Sequence, residues 1–166
     1  NLKYLKEIKK HLKKHKIKKY KIILEPAKMN TGPAMLSAAL IKDVPDIQPL
    51  LFLSADHLIQ KENIFYNEIE KNKKKLSNKN IFIFGIKPTN ASSQYGYFLT
   101  KKNKKINKVV KFIEKPNQSK AKNLITKGGY WNSGIFFLRK DSIINNFKKY
   151  QLKTLISCEK AVLKSK

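Results

Sequence analysis

The chain has 166 residues, the span of one ordinary domain, and 41% of them are apolar, enough for a packed core. Its formal net charge of +26 points first to a polyanionic partner, but lysine supplies nearly all of it and Arg139 is the only arginine. Readers of nucleic acid lean on arginine's planar fork, and Lys, Asn and Ile are abundant everywhere here, so compositional drift is preferred over a nucleic-acid-binding module. Cys158 is alone, which argues against a disulfide framework or a thiolate metal cluster. No apolar run reaches membrane-spanning length and Asn1-Leu2-Lys3 opens no signal peptide, so no membrane partner is expected and the cytoplasm is the default. The first residue is not methionine, which suggests a start inside a longer protein.

Leu2, Leu5, Ile8 and Leu12 recur at helical spacing and predict a first helix with lysines on its other face. Lys21-Ile22-Ile23-Leu24 reads as a buried strand. Thr31 can cap a second helix from Pro33 to about Lys42. Pro49 to Leu53 is a second apolar strand, residues 61–76 a helix, and Ile81 to Ile86 a third strand. Tyr95 to Thr100 and Asn107 to Glu114 read as an antiparallel hairpin around a lysine-rich turn, Lys101 to Lys105. A helix over 118–127 breaks at Gly128-Gly129, Trp131 to Leu138 returns as a strand, and 141–150 and 152–164 are helical. Alternating helices and continuous apolar strands predict an α/β fold with a mostly parallel sheet, helices on both of its faces, and one antiparallel hairpin.

Ligands of such sheets sit beyond the carboxyl ends of the strands. Glu25-Pro26, Asp56, Glu114-Lys115-Pro116 and Asn132-Ser133-Gly134 all fall at or interrupt strand ends. Each alone is also explained by a helix cap or a turn. Asn90 and Asn117 open glycosylation sequons that matter only in a secreted protein. His11 and His15 stand four apart without a third ligand nearby, so they read as a surface pair, and His57 as structural.

The order of the clusters is more specific than any one of them. Glu25-Pro26 with Asn30-Thr31 and Pro33-Ala34, then Ala55-Asp56-His57, Tyr95-Gly96-Tyr97, Phe112-Ile113-Glu114-Lys115-Pro116 and Trp131-Asn132-Ser133-Gly134-Ile135-Phe136 resembles the mannose-1-phosphate guanylyltransferase family of sugar-1-phosphate nucleotidylyltransferases. The resemblance implies a Rossmann-like nucleotidyltransferase sheet, incomplete at both ends, and a single truncated domain over 1–166. It implies transfer of GMP from GTP to mannose 1-phosphate, with Mg²⁺ as cofactor and pyrophosphate leaving. By resemblance, Asp56 holds the metal, Lys115 meets the sugar phosphate, and Glu114, Asn132 and Gly96 meet the sugar. Glu25, Pro26, Asn30 and Thr31 are further substrate-binding candidates, with Glu25 at the base pocket. A carboxylate at a base pocket accepts both N–H donors of guanine's edge, whereas uracil and thymine suit an amide better. Glu25 capping the helix near Thr31 stays open as the alternative, as does a uridylyl or thymidylyl enzyme. Met29, Ser54 and Gln94 stand where the family commonly has arginine, proline and glycine, and the 128–130 loop is short by about one residue. The family's glycine-rich triphosphate loop and second metal-binding aspartate lie outside the chain, so the isolated chain is expected to be inactive. The resemblance is compatible with a homo-oligomer of the full-length protein.

Overall fold

The structure is a computed structural model and describes residues 1–25, 27, 29–101 and 106–164. Pro26 and most of the lysine-rich turn at 101–105 lie outside the described residues. The chain divides into two compact units: residues 1–48, 77–79 and 139–166 form the first, and residues 49–76 and 80–138 the second.

In the first unit, a 3₁₀ turn at Leu2–Tyr4 leads into α1, Leu5–Lys14. Leu5 and Leu12 are half-buried on its apolar stripe while its lysines are exposed. Residues 21–24 are not the strand their composition predicts: no sheet pairing among the described residues includes them, and Ile23 and Leu24 are exposed at 42% and 40%. A strand is completed by a neighbour's ladder rather than by its own apolar side chains, and here none is paired. The second helix, α2, spans Thr31–Ala39 and starts two residues before the expected Pro33. Asn30, not Thr31, holds the cap position, with φ at 65° and ψ at −178°, a sparsely populated backbone conformation that glycine adopts far more readily than other residues. Met35, Leu36 and Ala39 form the buried stripe of α2. The helices α5, Lys140–Tyr150, and α6, Leu152–Lys164, pack on α2 and on each other, with Ile143 and Leu155 buried. Lys140 is itself buried at 7% exposure. Its ammonium donates to the carbonyl of Val44 at 2.6 Å and lies 3.4 Å from the Asp46 carboxylate. Burial of a lysine is tolerable only with such acceptors.

The second unit holds the strands β1 (Pro49–Phe52), β2 (Ile81–Ile86), β3 (Tyr97–Lys101), β4 (Lys108–Ile113) and β5 (Tyr130–Arg139), whose last residue is counted with the first unit. It also holds α3 (Glu62–Lys73) and α4 (Gln118–Thr126). The sheet order is β1-β5-β3-β4, and β2 pairs with β5. The fold is α/β as expected, but the sheet departs from the mostly parallel expectation: β2–β5, β3–β4 and β3–β5 are all antiparallel. The reason is where β5 inserts. The helical connection through α4 makes β4 and β5 parallel in direction, yet β3 lies between them and opposes both. The predicted hairpin is present as β3–β4. One apolar cluster gathers Ile69, Leu76 and Phe137 with Phe65, Phe82 and Phe84. Another gathers Tyr97, Ala121 and Leu124 with Leu99, Ile113 and Trp131.

Two local devices shape the start of β5. Asn117, one of the sequons, caps α4 by accepting from the Lys120 N–H at 2.9 Å. The helix ends where Gly128 turns with φ at 75° and the Gly129 N–H donates to the Leu124 carbonyl at 2.8 Å. Asn132-Ser133-Gly134 then forms a bulge rather than a break in β5. Ile83 and Gly85 pair with Phe136 and Asn132, so β5 carries extra residues opposite Phe84. Gly134 takes φ of 72°, and its N–H donates to Asn132 Oδ1 at 3.2 Å.

Candidate functional site

Three candidate residues from separate parts of the sequence meet in the second unit. Gly96 precedes β3, Glu114 follows β4, and Asn132 lies near the start of β5. The Asn132 N–H donates to the Gly96 carbonyl at 2.8 Å. Gly96 is buried, and a Cβ placed there would lie 2.7 Å from Glu114 Oε2 and 3.0 Å from Phe112 Cζ. The space that any other residue would fill is therefore taken by the Glu114 carboxylate. Asn132 spends its amide oxygen on the bulge, and its amide nitrogen has no partner among the described residues. Gly96 thus links a carboxylate acceptor on Glu114 and an amide donor on Asn132, the two kinds of group a sugar hydroxyl uses.

Lys115 follows immediately, exposed, with φ of 43°. A left-handed conformation in a long side-chain residue costs about 1–2 kcal/mol and turns the chain abruptly between β4 and Pro116. Its ammonium has no ion pair among the described residues.

Asp56 sits exposed in the turn after β1 and shares no hydrogen bond with the Gly96 cluster among the described residues. In a chain with 37 basic and 11 acidic residues, carboxylates find partners readily. Asp43, Asp46, Glu68, Glu70 and Asp141 are ion-paired, and Glu7 faces the His11 imidazole. Of the remaining acids, Glu62 lies in the first turn of α3, where the helix dipole favours it, and Glu159 lies on exposed α6. The others are Glu25, Asp56 and Glu114, and none has an ion pair among the described residues. Asp43 is the contrast: a hydrogen bond from Lys21 and then the lysine's charge hold its carboxyl below the ordinary aspartate range. No group of three or more His, Cys, Asp or Glu among the described residues could by itself hold a metal ion, and His11 lies 4.0 Å from Glu7.

The first unit contains a cavity of about 580 Å³ between residues 22–37 and α6. Glu25 and Met29 line one wall and Thr154, Ser157, Cys158 and Ala161 the other. Glu25 makes no hydrogen bond to α2 among the described residues, Asn30 is exposed, and Thr31 is the exposed first residue of α2. Sequence reasoning overlooked the α6 wall. Its small and polar residues recur three and four apart, a spacing that marks one helical face. It also overlooked the aromatic rings around Trp131: Tyr95 meets it at a tilt of 54° with ring centroids 5.0 Å apart, and Tyr97 meets it edge-on at 6.4 Å.

The nucleotidyl transferase family profile matches residues 1–166. The chain belongs to this family. Mannose-1-phosphate guanylyltransferase RfbM of Salmonella typhimurium is 37% identical over 149 residues, covering 85% of this chain and 31% of that protein. Mannose-1-phosphate guanylyltransferase of Escherichia coli K12 is 36% identical over 151 residues, covering 85% and 32%. The xanthan biosynthesis protein XanB of Xanthomonas campestris is 33% identical over 147 residues, covering 87% and 32%. The chain therefore spans about a third of the length of these curated relatives. Among solved structures, the mannose-6-phosphate isomerase of Helicobacter pylori has a TM-score of 0.83 at 26% identity, covering 98% of this chain and 62% of that one. A Thermus thermophilus protein described as a mannose-1-phosphate geranyltransferase has a TM-score of 0.80 at 21% identity, covering 95% and 47%, and shares the fold. Among the described residues, no helix is long and apolar enough to cross a membrane.

Proposed function

We propose that this chain is part of a single nucleotidyltransferase domain in an enzyme that transfers GMP from GTP to mannose 1-phosphate, in the cytoplasm. A phosphate oxygen of the sugar attacks the α-phosphorus of GTP, the bond from that phosphorus to the bridging oxygen breaks, and pyrophosphate leaves. Such a reaction asks little covalent chemistry of the protein; catalysis is positioning and charge stabilisation. The observation that carries the reading is the convergence of Gly96, Glu114 and Asn132, three residues distant in sequence, on one acceptor–donor pair.

In this reading Glu114 accepts from sugar hydroxyls and the Asn132 amide donates to them. Gly96 keeps the space between them open. Lys115, one residue from Glu114 and without a competing carboxylate, meets the sugar phosphate as a flexible point charge. Glu25, beside the cavity in the first unit, accepts the two N–H groups of guanine's edge, and Asn30 and Thr31, with Pro26 from the sequence motif, complete the proposed substrate-binding set. Asp56 fits Mg²⁺: it is a single hard carboxylate, exposed and without an ion pair among the described residues, and Mg²⁺ takes few protein ligands and completes its shell with water and phosphate oxygens. When bound, the ion would supply positive charge to the triphosphate.

The experiment uses the protein that contains this chain. Pyrophosphate release should require both GTP and mannose 1-phosphate, with GTP preferred over UTP and dTTP. Glu25→Gln should lower the GTP-to-UTP ratio by on the order of 1–3 kcal/mol, the cost of one mispaired charged hydrogen bond. An unchanged ratio would remove Glu25 from the base pocket. Preference of the parent for UTP or dTTP would replace the guanylyl reading with a uridylyl or thymidylyl one.

A further inference from the structure

The two antiparallel ladders around β3 set side chains in rows. Phe98 pairs with Phe112 on one side and with Tyr130 on the other, so three aromatic residues stand level across β4, β3 and β5. Two positions away along each strand, the same register brings Glu114, Gly96 and Asn132 level. Residues two apart in a strand share a face, so an aromatic row and the polar row lie next to each other on one face of the sheet. The opposite face carries Tyr97, Ile113 and Trp131, packed with Ala121 and Leu124 of α4.

The three rings of the row differ in exposure. Phe98 is buried and stacks on half-buried Tyr130 with ring centroids 5.8 Å apart. Phe112 is 48% exposed on β4, the last strand in the sheet order. The tip of its ring and the Glu114 carboxylate lie on the same side of Gly96, at 3.0 Å and 2.7 Å from the place a Cβ would take. A single exposed apolar side chain needs no explanation, but this one adjoins the acceptor of the proposed site. A hexose has a rim of hydroxyls and two faces of C–H bonds. Carboxylate and amide serve the rim, whereas a C–H face needs an apolar surface, and the electron-rich face of an aromatic ring attracts it. Free phosphate has no such face.

We propose that Phe112 is a binding residue for the hexose of the sugar phosphate: its exposed ring takes a C–H face of the sugar while Glu114 and Asn132 take hydroxyls. This rests on the reading of the Gly96, Glu114 and Asn132 cluster as the sugar site and deepens it. The stacked Phe98 and Tyr130 belong to the packed sheet, which leaves Phe112 as the ring of the row that is offered to a ligand.

The protein that contains this chain is titrated by calorimetry with mannose 1-phosphate and, separately, with GTP. Phe112→Leu keeps an apolar side chain but loses the flat ring. It should weaken mannose 1-phosphate about 3- to 10-fold and leave GTP affinity unchanged, while the fold is retained by circular dichroism. Phe112→Tyr should keep the affinity of the parent. In proton NMR, C–H signals of bound mannose 1-phosphate should shift upfield in the ring current of the parent, and that shift should be lost in Phe112→Leu. Parent-like affinity of a folded Phe112→Leu overturns this inference, and if Glu114→Ala still weakens the sugar phosphate, the proposed function stands. Should Phe112→Leu not fold, unshifted sugar signals at saturation of the parent overturn the inference instead. No binding of mannose 1-phosphate to the parent overturns both.

Discussion

Replacing Gly96 with alanine separates the demands of the fold from those of the site. Gly96 has no left-handed backbone to strain, so the added methyl acts only through the space it takes. It would sit 2.7 Å from Glu114 Oε2, against an ordinary carbon–oxygen contact beyond about 3.3 Å, so the carboxylate must retreat by roughly 0.6 Å. That oxygen is the far end of a flexible, exposed side chain, and Phe112 at 3.0 Å is 48% exposed and can give. The cost of crowding, about 1 kcal/mol, is partly offset by the 0.4–1 kcal/mol that alanine gains over glycine by restricting the unfolded chain. The melting temperature should therefore move by no more than about 2–4 °C. The site should respond differently, because a binding group must be held within about 0.5 Å and an error near 1 Å can cost about 10²-fold. Calorimetry should show mannose 1-phosphate binding weakened by about 10-fold or more. In a Glu114→Ala background, the same substitution should add almost nothing. Undiminished binding by a well-folded Gly96→Ala protein, or full additivity with Glu114→Ala, would refute the reasoning that this glycine works by making room for the carboxylate.

Gly134→Ala should lower stability in urea titration through backbone strain alone, by about 1–2 kcal/mol, since φ is 72° and nothing lies within 4 Å of the added carbon; Gly134→Asn should recover part of the loss. Lys140→Met removes the ammonium and leaves the Val44 carbonyl without its donor, so urea titration should show a loss of about 1–3 kcal/mol. Asp43 has a lowered folded pKa, so the stability it contributes is present above its ordinary value of 3.8 and is lost as pH falls through the lowered one. The melting difference between Asp43→Asn and the parent should accordingly exist at neutral pH, close in stronger acid, and shrink with salt because the pair is exposed.

Much of the architecture was legible because it is encoded locally. The helices at 62–73 and 118–126 and the strands at 81–86 and 130–139 follow from apolar spacing and from glycine and asparagine at their ends. Residues 21–24 were misleading for a definite reason. Ile22, Ile23 and Leu24 satisfy every local requirement of a buried strand, but pairing is a property of the neighbour, and composition carries no information about it. Strand direction was hidden in the same way, since nothing in the run from Lys108 to Arg139 says that β3 will lie between β4 and β5. The candidate site was legible as an ordered set of motifs, while its working parts were not. That Gly96 shelters the carboxylate of Glu114 and receives the backbone N–H of Asn132 are facts of packing between distant segments.

The buried ammonium of Lys140 also has a consequence in time. It fastens the carbonyl of Val44, 96 positions earlier in the chain. At ribosomal rates of roughly 5–20 residues per second, the turn around Val44 would wait on the order of 5–20 s after its own synthesis before the lysine that anchors it exists. During that interval Met35, Leu36 and Ala39 on α2 also lack α5 and α6, the helices that later pack on α2. Newly made chains should thus pass through a stage in which residues 1–48 are sticky, lysine-rich and unanchored, waiting on helices that have yet to be synthesised.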